Sequence, residues 1–290
     1  MQALTVGQGR AYFPGRRQVK TLLGEAGLLY PRAAMASRAD YGLDAPGVVR
    51  NLVVAGAAGI AIFVSVAVGL WPGRIPLGGG NFFDVALMAL GIGLSCVGMA
   101  VYMAWSSKFG KLAERDRLLD RLALKGSERV LDVGCGRGLM LIGAARRLTT
   151  GSAIGVDIWQ AEDLSGNQPE ATLENARHEG VEDRIRIETA DMRALPFPDG
   201  SFDVIVSKAA IHNLYDRADR GKALAEISRA LAPGGQVLID DIRHLPEYEA
   251  ELRSRGLTDI RRIGNPAAAI FWALLTWGSL RPGGLVARKP

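Results

Sequence analysis

The chain of 290 residues reads as an α/β protein with a parallel sheet, carried behind two helices long enough to cross a membrane. Three observations predict this architecture. Residues 52–71 and 85–105 form two uncharged apolar runs. Strand-like and helix-like segments alternate with short links beyond residue 128. The first of those strands runs into a glycine-spaced turn.

Composition removes several classes. Hydrophobic residues make up 48% and charged residues 22%, too apolar and too weakly charged for a disordered chain. The 36 glycines have no three-residue period and prolines number only 13, which excludes collagen-like and linker sequences. Cys96 and Cys135 cannot build a disulfide framework or a four-ligand zinc site, which fits a soluble part facing the cytosol. The net charge of +5 suits nucleic acid or an anionic membrane surface. Its placement decides for the membrane. Lys108, Lys111, Arg115, Arg117 and Arg121 follow directly on the second apolar run, interleaved with Glu114, Asp116 and Asp120. No RNA-binding aromatic signature or finger spacing accompanies them, so no nucleic-acid partner is expected.

Residues 1–50 are Gly- and Arg-rich, basic and without periodicity, and are expected to be flexible; residues 1–34 read either as disordered or as preceding a true start at Met35. Residues 51–105 hold the two apolar runs, Leu52–Trp71 and Val85–Trp105, each matching the ~20 residues that span ~30 Å of hydrocarbon. The link between them, PGRIPLGGGNFFD, has Pro and Gly breakers and one cation, Arg74. Arg32, Arg38 and Arg50 on one side and the cations at 108–121 on the other place both ends in the cytoplasm by the positive-inside rule. Trp71, Phe82, Phe83, Tyr102 and Trp105 fall at the expected interfaces, and Ala55/Gly59 and Gly91/Ser95 are small residues suited to close helix packing. The expected location is an integral membrane protein of a bacterial-type inner membrane, with two spans and a cytoplasmic domain.

Residues 106–290 form that domain. Leu112, Leu118, Leu119 and Leu122 mark an amphipathic linker helix. Strands are expected at Arg129–Val133, Ala153–Asp157, Ile185–Thr189, Phe202–Ser207, Gln236–Asp240 and Thr258–Ile263. Helices are expected at Leu139–Leu148, Ala171–His178, Ala218–Leu231 and Pro246–Arg255. The first strand leads through Asp132 into Gly134-Cys135-Gly136-Arg137-Gly138, where glycines let the backbone turn sharply and approach a ligand. Asp157 ends the next strand, where a carboxylate can accept both hydroxyls of a ribose, with Ile158 beside it. Asp191-Met192 follows the third strand.

These phrases, VLDVGCGRG, GVDIW, ADMRALPFPDGSFDVIVS and LAPGGQVLIDD, resemble in order and spacing the class I S-adenosylmethionine-dependent methyltransferases, near their small-molecule and quinone-type branch. The resemblance implies a Rossmann-like, doubly wound, seven-stranded sheet whose last strand, Gly284–Arg288, lies antiparallel beside the sixth. It implies S-adenosylmethionine as cofactor. Gly134, Gly136 and Gly138, with Cys135 between them, would pass under its methionine part. Asp132 would support its amino end and Asp157 its ribose, with Ile158 adjoining. Asp191 would accept from the adenine amino group, Met192 would pack on the ring, and Ser207 would lie beside the methyl group.

The methyl group on a sulfonium is already activated, so the protein mainly aligns an acceptor. His212 and Asn213, with Tyr215 near them, lie after the fourth strand where the acceptor would sit; His212 is the candidate base, against a purely structural hydrogen bond at a helix start. Ser207-Lys208-Ala209-Ala210 replaces the Asn/Asp-Pro-Pro-Tyr run of amide and adenine methylation. The cysteines are misplaced for arsenic or cytosine C5 chemistry. Asp240-Asp241 is a possible metal pair, but solvated or capping acids are the simpler reading and no metal is expected. The reading is therefore a membrane-anchored methyltransferase with a small or lipid-like acceptor. The alternatives are a non-catalytic cofactor-binding membrane regulator and, more remotely, a nicotinamide oxidoreductase, whose fingerprint needs glycine where Leu139 stands. The apolar run Ala267–Leu280 is too short to span; it reads as an interfacial dip or as a core or lid helix.

Overall fold

A computed structural model describes residues 39–160 and 162–290; the expectations for residues 1–34 lie outside them. Helix α1 (Pro46–Ala67) opens on a proline, whose fixed φ suits a first helical position. A two-stranded β-ribbon, β1 (Arg74–Gly78) and β2 (Asn81–Asp84), replaces the expected irregular link. Its tip, Gly79 and Gly80, takes the positive φ of tight hairpins, and Arg74 meets Asp84 at 3.5 Å. The Asp84 side chain then caps α2 (Val85–Trp105) by accepting from the Leu87 N–H. A π-helical turn, Ser106–Gly110, carries α2 into α3 (Lys111–Leu119), the expected linker helix.

Only 17% of each apolar stretch in α1 and α2 is buried within the protein, whereas a core helix is mostly buried. The small-residue seam differs from the expected one. Ala55, Gly91 and Ser95 face outward, and Gly56, Gly59, Ala89 and Gly93 form the contact. A Cβ at Gly59 would stand 2.7 Å from the Ala89 carbonyl oxygen, and one at Gly56 2.7 Å from Val97 Cγ2. Both helices carry small residues on more than one face, so spacing alone does not choose the seam. The face where glycine meets glycine permits the closest backbone approach.

The remaining elements are β3 (Arg129–Val133), α4 (Leu139–Ala145), β4 (Ser152–Asp157), α5 (Pro169–His178), β5 (Ile185–Thr189), β6 (Phe202–Lys208), α6 (Arg217–Ala230), β7 (Leu231–Asp241), α7 (Leu245–Ser254), β8 (Thr258–Ile263), α8 (Pro266–Leu275) and β9 (Gly283–Arg288). The seven strands run in the order β5-β4-β3-β6-β7-β9-β8. The pairs among β3 to β7 are parallel, and β9 is antiparallel to both neighbours, β7 and β8. Alternation along β3 serves two cores. Leu131 and Val133 pack with Ile205, Leu224, Ile227 and Tyr248; Val130 packs with Leu119, Leu141, Ile142, Val204 and Leu238. Strand order reverses between β3 and β6, the switch point where open α/β sheets bind ligands.

Residues 39–45, read from sequence as part of a flexible segment, form a strap on this domain. The Asp40 N–H donates to Asn175, the Tyr41 hydroxyl to Glu179 and the Leu43 N–H to Ser165 Oγ. Lys111, buried at the start of α3, donates to the carbonyls of Tyr41 and Gly42 and pairs with Asp44 at 3.0 Å. Tyr41 is 5% exposed.

Replacing Gly59 with Leu is expected to lower the stability of the detergent-solubilised protein by about 1–3 kcal/mol through overpacking. Replacing Gly91, where a Cβ meets nothing within 4 Å, leaves it unchanged. Equal effects of the two in thermal unfolding would place the helix seam elsewhere.

Candidate active site

The β3–α4 turn is built on backbone that side chains resist. Gly134 has φ 75° and Gly138 φ 85°. A Cβ at Gly134 would stand 2.3 Å from Ala210 Cβ and 3.6 Å from Met192 Cε. Loops following β3, β5 and β6 therefore converge at the carboxyl edge of the sheet. β4 joins them through Asp157: its Oδ2 accepts from the Gly136 N–H at 2.8 Å, and its Oδ1 accepts from the Trp159 N–H at 2.7 Å and from Asn167 at 3.4 Å. The carboxylate closes over the glycine turn, and part of its lone-pair capacity stays open. Trp159 and Ala209, the residues just past β4 and β6, hold φ of 62° and 51°, strain of about 1–3 kcal/mol of the kind that clusters at functional sites.

Asp132 ends β3 almost wholly buried. Its Oδ2 accepts from the Leu141 N–H in the first turn of α4, and its Oδ1 has no protein partner. Burial pushes its carboxyl up to about 7, with the Asp157 charge adding to the rise. Four buried polar side-chain atoms among the described residues lack a formed hydrogen bond: Asp132 Oδ1, Arg137 Nε, Asn167 Oδ1 and His212 Nδ1. Arg137 belongs to the glycine turn, Asn167 contacts Asp157, and His212 follows β6. His212 Nδ1 faces Asp241, and the other three, around the glycine turn, leave polar capacity for a ligand.

The base candidate is held by a group that sequence reading had passed over. His212 Nδ1 lies 2.6 Å from Asp241 Oδ1, close but short of hydrogen-bond alignment, and the His212 N–H donates to Asp241 Oδ2 at 3.1 Å. Asp241 also accepts from the Ile242 N–H and the Tyr248 hydroxyl. Its side chain is 1% exposed, and these donors satisfy its oxygens. Burial and Asp241 together push the Tyr248 hydroxyl well above its usual range. The two acids considered as a metal pair diverge: Asp240 pairs with Lys208, which also meets Glu114, and Asp241 turns to His212. Among the described residues no three His, Cys, Asp or Glu groups assemble as a metal site.

Other residues implied by the resemblance find different places. The Cys135 side chain is buried against Gly155 and Leu141, leaving its backbone to face the turn. Ile158 is 48% exposed beside Asp157. Ser207 is buried and donates to the Val133 carbonyl at 2.8 Å, tying β6 to β3. Asn213 lies in a 3-10 turn, Ile211–Asn213, next to His212, and Tyr215 projects into solvent. Asp191 departs most from its implied role: both oxygens are taken by Arg193, through its backbone N–H, Nε and Nη2, at 2.6–3.0 Å. The guanidinium two residues on is thus the charged donor that Asp191 meets in this structure.

Residues 130–235 match the family model described as a methyltransferase domain. Residues 130–235 of this chain thus resemble the methyltransferase domain family. Over 189 residues the chain is 31% identical to 27-O-demethylrifamycin SV methyltransferase of Amycolatopsis mediterranei, covering 62% of this chain and 64% of that one. Over 132 residues it is 32% identical to the ubiquinone/menaquinone biosynthesis C-methyltransferase UbiE of Dinoroseobacter shibae, covering 46% and 49%. The chain thus spans less than two thirds of the length of these curated relatives. The fold is that of geranyl diphosphate C-methyltransferase from Streptomyces coelicolor, whose crystal structure holds S-adenosyl-L-homocysteine: TM-score 0.50, 18% identity, 68% of this chain and 83% of that one. S-adenosylmethionine is the cofactor of this family. The methyltransferase domain fits it: an unpaired buried carboxylate oxygen at Asp132 suits a cationic amino group, and the glycine turn leaves room for close approach.

The Asp132 carboxyl has a sign-definite consequence. A folded-state value near 7, against an ordinary 3.8, means that folding disfavours the charged form. Its contribution to stability is fullest below about pH 4, declines between about 4 and 7, and is lost above. Asp132→Asn is therefore expected to gain in melting temperature relative to the parent as pH rises from 4 to 8. A difference constant across that range would show that Asp132 titrates normally.

Proposed function

We propose that this chain is a membrane-anchored methyltransferase that moves a methyl group from S-adenosylmethionine to a small or lipophilic acceptor, with His212 as general base. The observation that carries this reading is the His212–Asp241 pair, set at the carboxyl edge of the sheet beside the glycine turn. A protein that only bound the cofactor would have no need of a histidine held by a buried carboxylate.

The cofactor supplies an electrophilic methyl group on a positive sulfonium. Asp132 and the turn backbone would bind its amino-acid end, Asp157 its ribose, and Met192 and Ile158 its base. Ser207 holds β6 against β3, so that residues 209–213 stand at a fixed distance from the turn. Asp241 Oδ1, 2.6 Å from His212 Nδ1, is placed to accept from Nδ1–H as the ring aligns, which would leave Nε2 as the unprotonated nitrogen. That nitrogen would take the proton of an acceptor hydroxyl, amine or acidic carbon as the acceptor's electron pair bonds to the methyl carbon and the carbon–sulfur bond breaks, its electron pair staying on the sulfur of S-adenosylhomocysteine. Asp241 stabilises the resulting imidazolium, the proton leaves later to solvent, and Asn213 helps orient the acceptor. No metal is needed for this sequence.

Support for a lipophilic acceptor is of two kinds. α1 and α2 expose Val53, Val54, Ile62, Leu87, Ile92 and Leu94 along spans of about 33 Å, a surface that water does not tolerate and a bilayer does. One relative is named for ubiquinone and menaquinone biosynthesis. With the hairpin inserted, the exposed cations Lys108, Arg117 and Arg121 would face anionic lipid on the cytoplasmic side.

His212→Ala is expected to lower turnover by about 10²–10⁴-fold with cofactor affinity unchanged in isothermal titration, and Asp241→Asn to lower it less. The assay is transfer of labelled methyl from S-adenosylmethionine into extracted membrane lipids. Full turnover in His212→Ala would return that residue to a structural role.

A further inference from the structure

A cavity of about 420 Å³ lies beside the proposed acceptor site and is not used by the chemistry above. It is enclosed by the turn after β7, the end of β8, the start of α8 and the approach to β9. Its lining includes Arg243, His244, Arg262 and Arg281 and no Asp or Glu. Two carboxylates of α7 are engaged: Glu247 holds Arg220 at 2.9–3.0 Å, and Glu249 holds Arg253 and, at 2.8 Å, Arg262. Glu247 also faces His244 Nδ1 at 3.8 Å. The Arg243 and Arg281 guanidinium groups have no ion-pair partner among the described residues. Unpaired arginines around one cavity favour a bidentate anion, and phosphate fits their planar forks.

The lining also has an apolar part: Leu245, Ile263, Pro266, Ala269 and Pro282. α8 then carries Ile270, Phe271, Leu274 and the following Trp277 outward, at 60–98% exposure. This settles the run at 267–280 as neither a core helix nor a spanning one. Trp272 stacks against Tyr102, one turn from the end of α2, with ring centroids 6.2 Å apart. The helix at the cavity mouth thus adjoins the end of an apolar span. Arg243 is two residues past Asp241, so its Cα lies within about 7 Å of that of the residue orienting His212.

We propose that this cavity binds the phosphate-bearing head group of an amphiphilic acceptor whose apolar chain lies along α8 and the end of α2. The inference deepens the methyltransferase reading by naming the acceptor class: a phosphorylated amphiphile drawn from the bilayer.

The test uses the full chain in neutral detergent, with dodecyl phosphate, dodecanol and inorganic phosphate as probes and tryptophan fluorescence and melting temperature as readouts. Saturable binding of dodecyl phosphate is expected, with inorganic phosphate at least tenfold weaker and dodecanol not saturable. Arg243→Gln/Arg281→Gln is expected to weaken dodecyl phosphate about tenfold or more, as loss of charge-assisted hydrogen bonds does, and to bind S-adenosylmethionine as the parent does. Equal binding of dodecyl phosphate to parent and variant would overturn the proposal, since partition into the micelle would then explain it. Equal affinity for inorganic phosphate would also overturn it, in favour of a soluble anion. The double variant's unchanged S-adenosylmethionine titration separates the two readings. Loss of cofactor binding in the parent would sink the methyltransferase and leave the cavity result standing.

Discussion

The close approach of backbone at Gly134 is the constraint on which the site depends. No side chain fits between that residue and Ala210, so the loop after β3 and the loop after β6 meet directly. Asp157 fixes the next part of the turn through the Gly136 N–H, and Thr172 accommodates the Gly136 carbonyl by donating its hydroxyl at 2.7 Å. The polar groups of the turn are thus satisfied from β4 and α5. What stays unsatisfied, Asp132 Oδ1 and Arg137 Nε, lies beneath and beside it. A fold that pairs nearly every buried polar atom and leaves these few has kept them for something other than itself.

The same turn is tied to the apolar hairpin. Arg137 donates to Asp40 in the strap and to the Ser165 carbonyl, and Asn175 donates to the carbonyls of both Asp40 and Arg137. Lys111 locks the strap, which enters α1, to the start of α3, which leaves α2. Burial drives the Lys111 amine down from its ordinary value and Asp44 opposes the shift; three acceptors around it compensate the desolvation that a buried ammonium incurs. Both ends of the hairpin are therefore anchored at one point on the domain, close to the glycine turn.

Much of this was legible in the sequence because the signals were local. β3, β5 and β8 fall where their apolar runs begin and end, and the Gly-x-Gly-x-Gly turn after Asp132 announces itself. Three features were not legible, for physical reasons. The strap has no periodicity because its seven residues are held by side chains more than a hundred positions away, Asn175 and Glu179. The β-ribbon between α1 and α2 reads as breakers because the glycines that make its turn also look like a loop. Asp241 as partner of His212 joins β7 to the loop after β6, a pairing set by sheet order, which spacing does not encode. The Arg193 clamp on Asp191 was visible as two charges two residues apart, but family resemblance weighted the acid and not its neighbour.

The strap and α8 together restrict how the domain can stand at a bilayer. One attachment runs from the hairpin to the glycine turn through residues 39–45 and Lys111; the other runs from Tyr102 to Trp272 on α8. Two attachments at different points on the carboxyl edge remove the swivel that a single tether would leave. With the hairpin in a membrane, the exposed apolar side chains of α8 would lie near the interface beside the end of α2. A head group held at Arg243 and Arg281 would lie near Asp241, which precedes Arg243 by two residues, and not on it. The cationic lining then has a reason to be separate from the catalytic pair: a charged head group held outside the methyl-transfer site neutralises the arginines without displacing the carboxylate that orients the base.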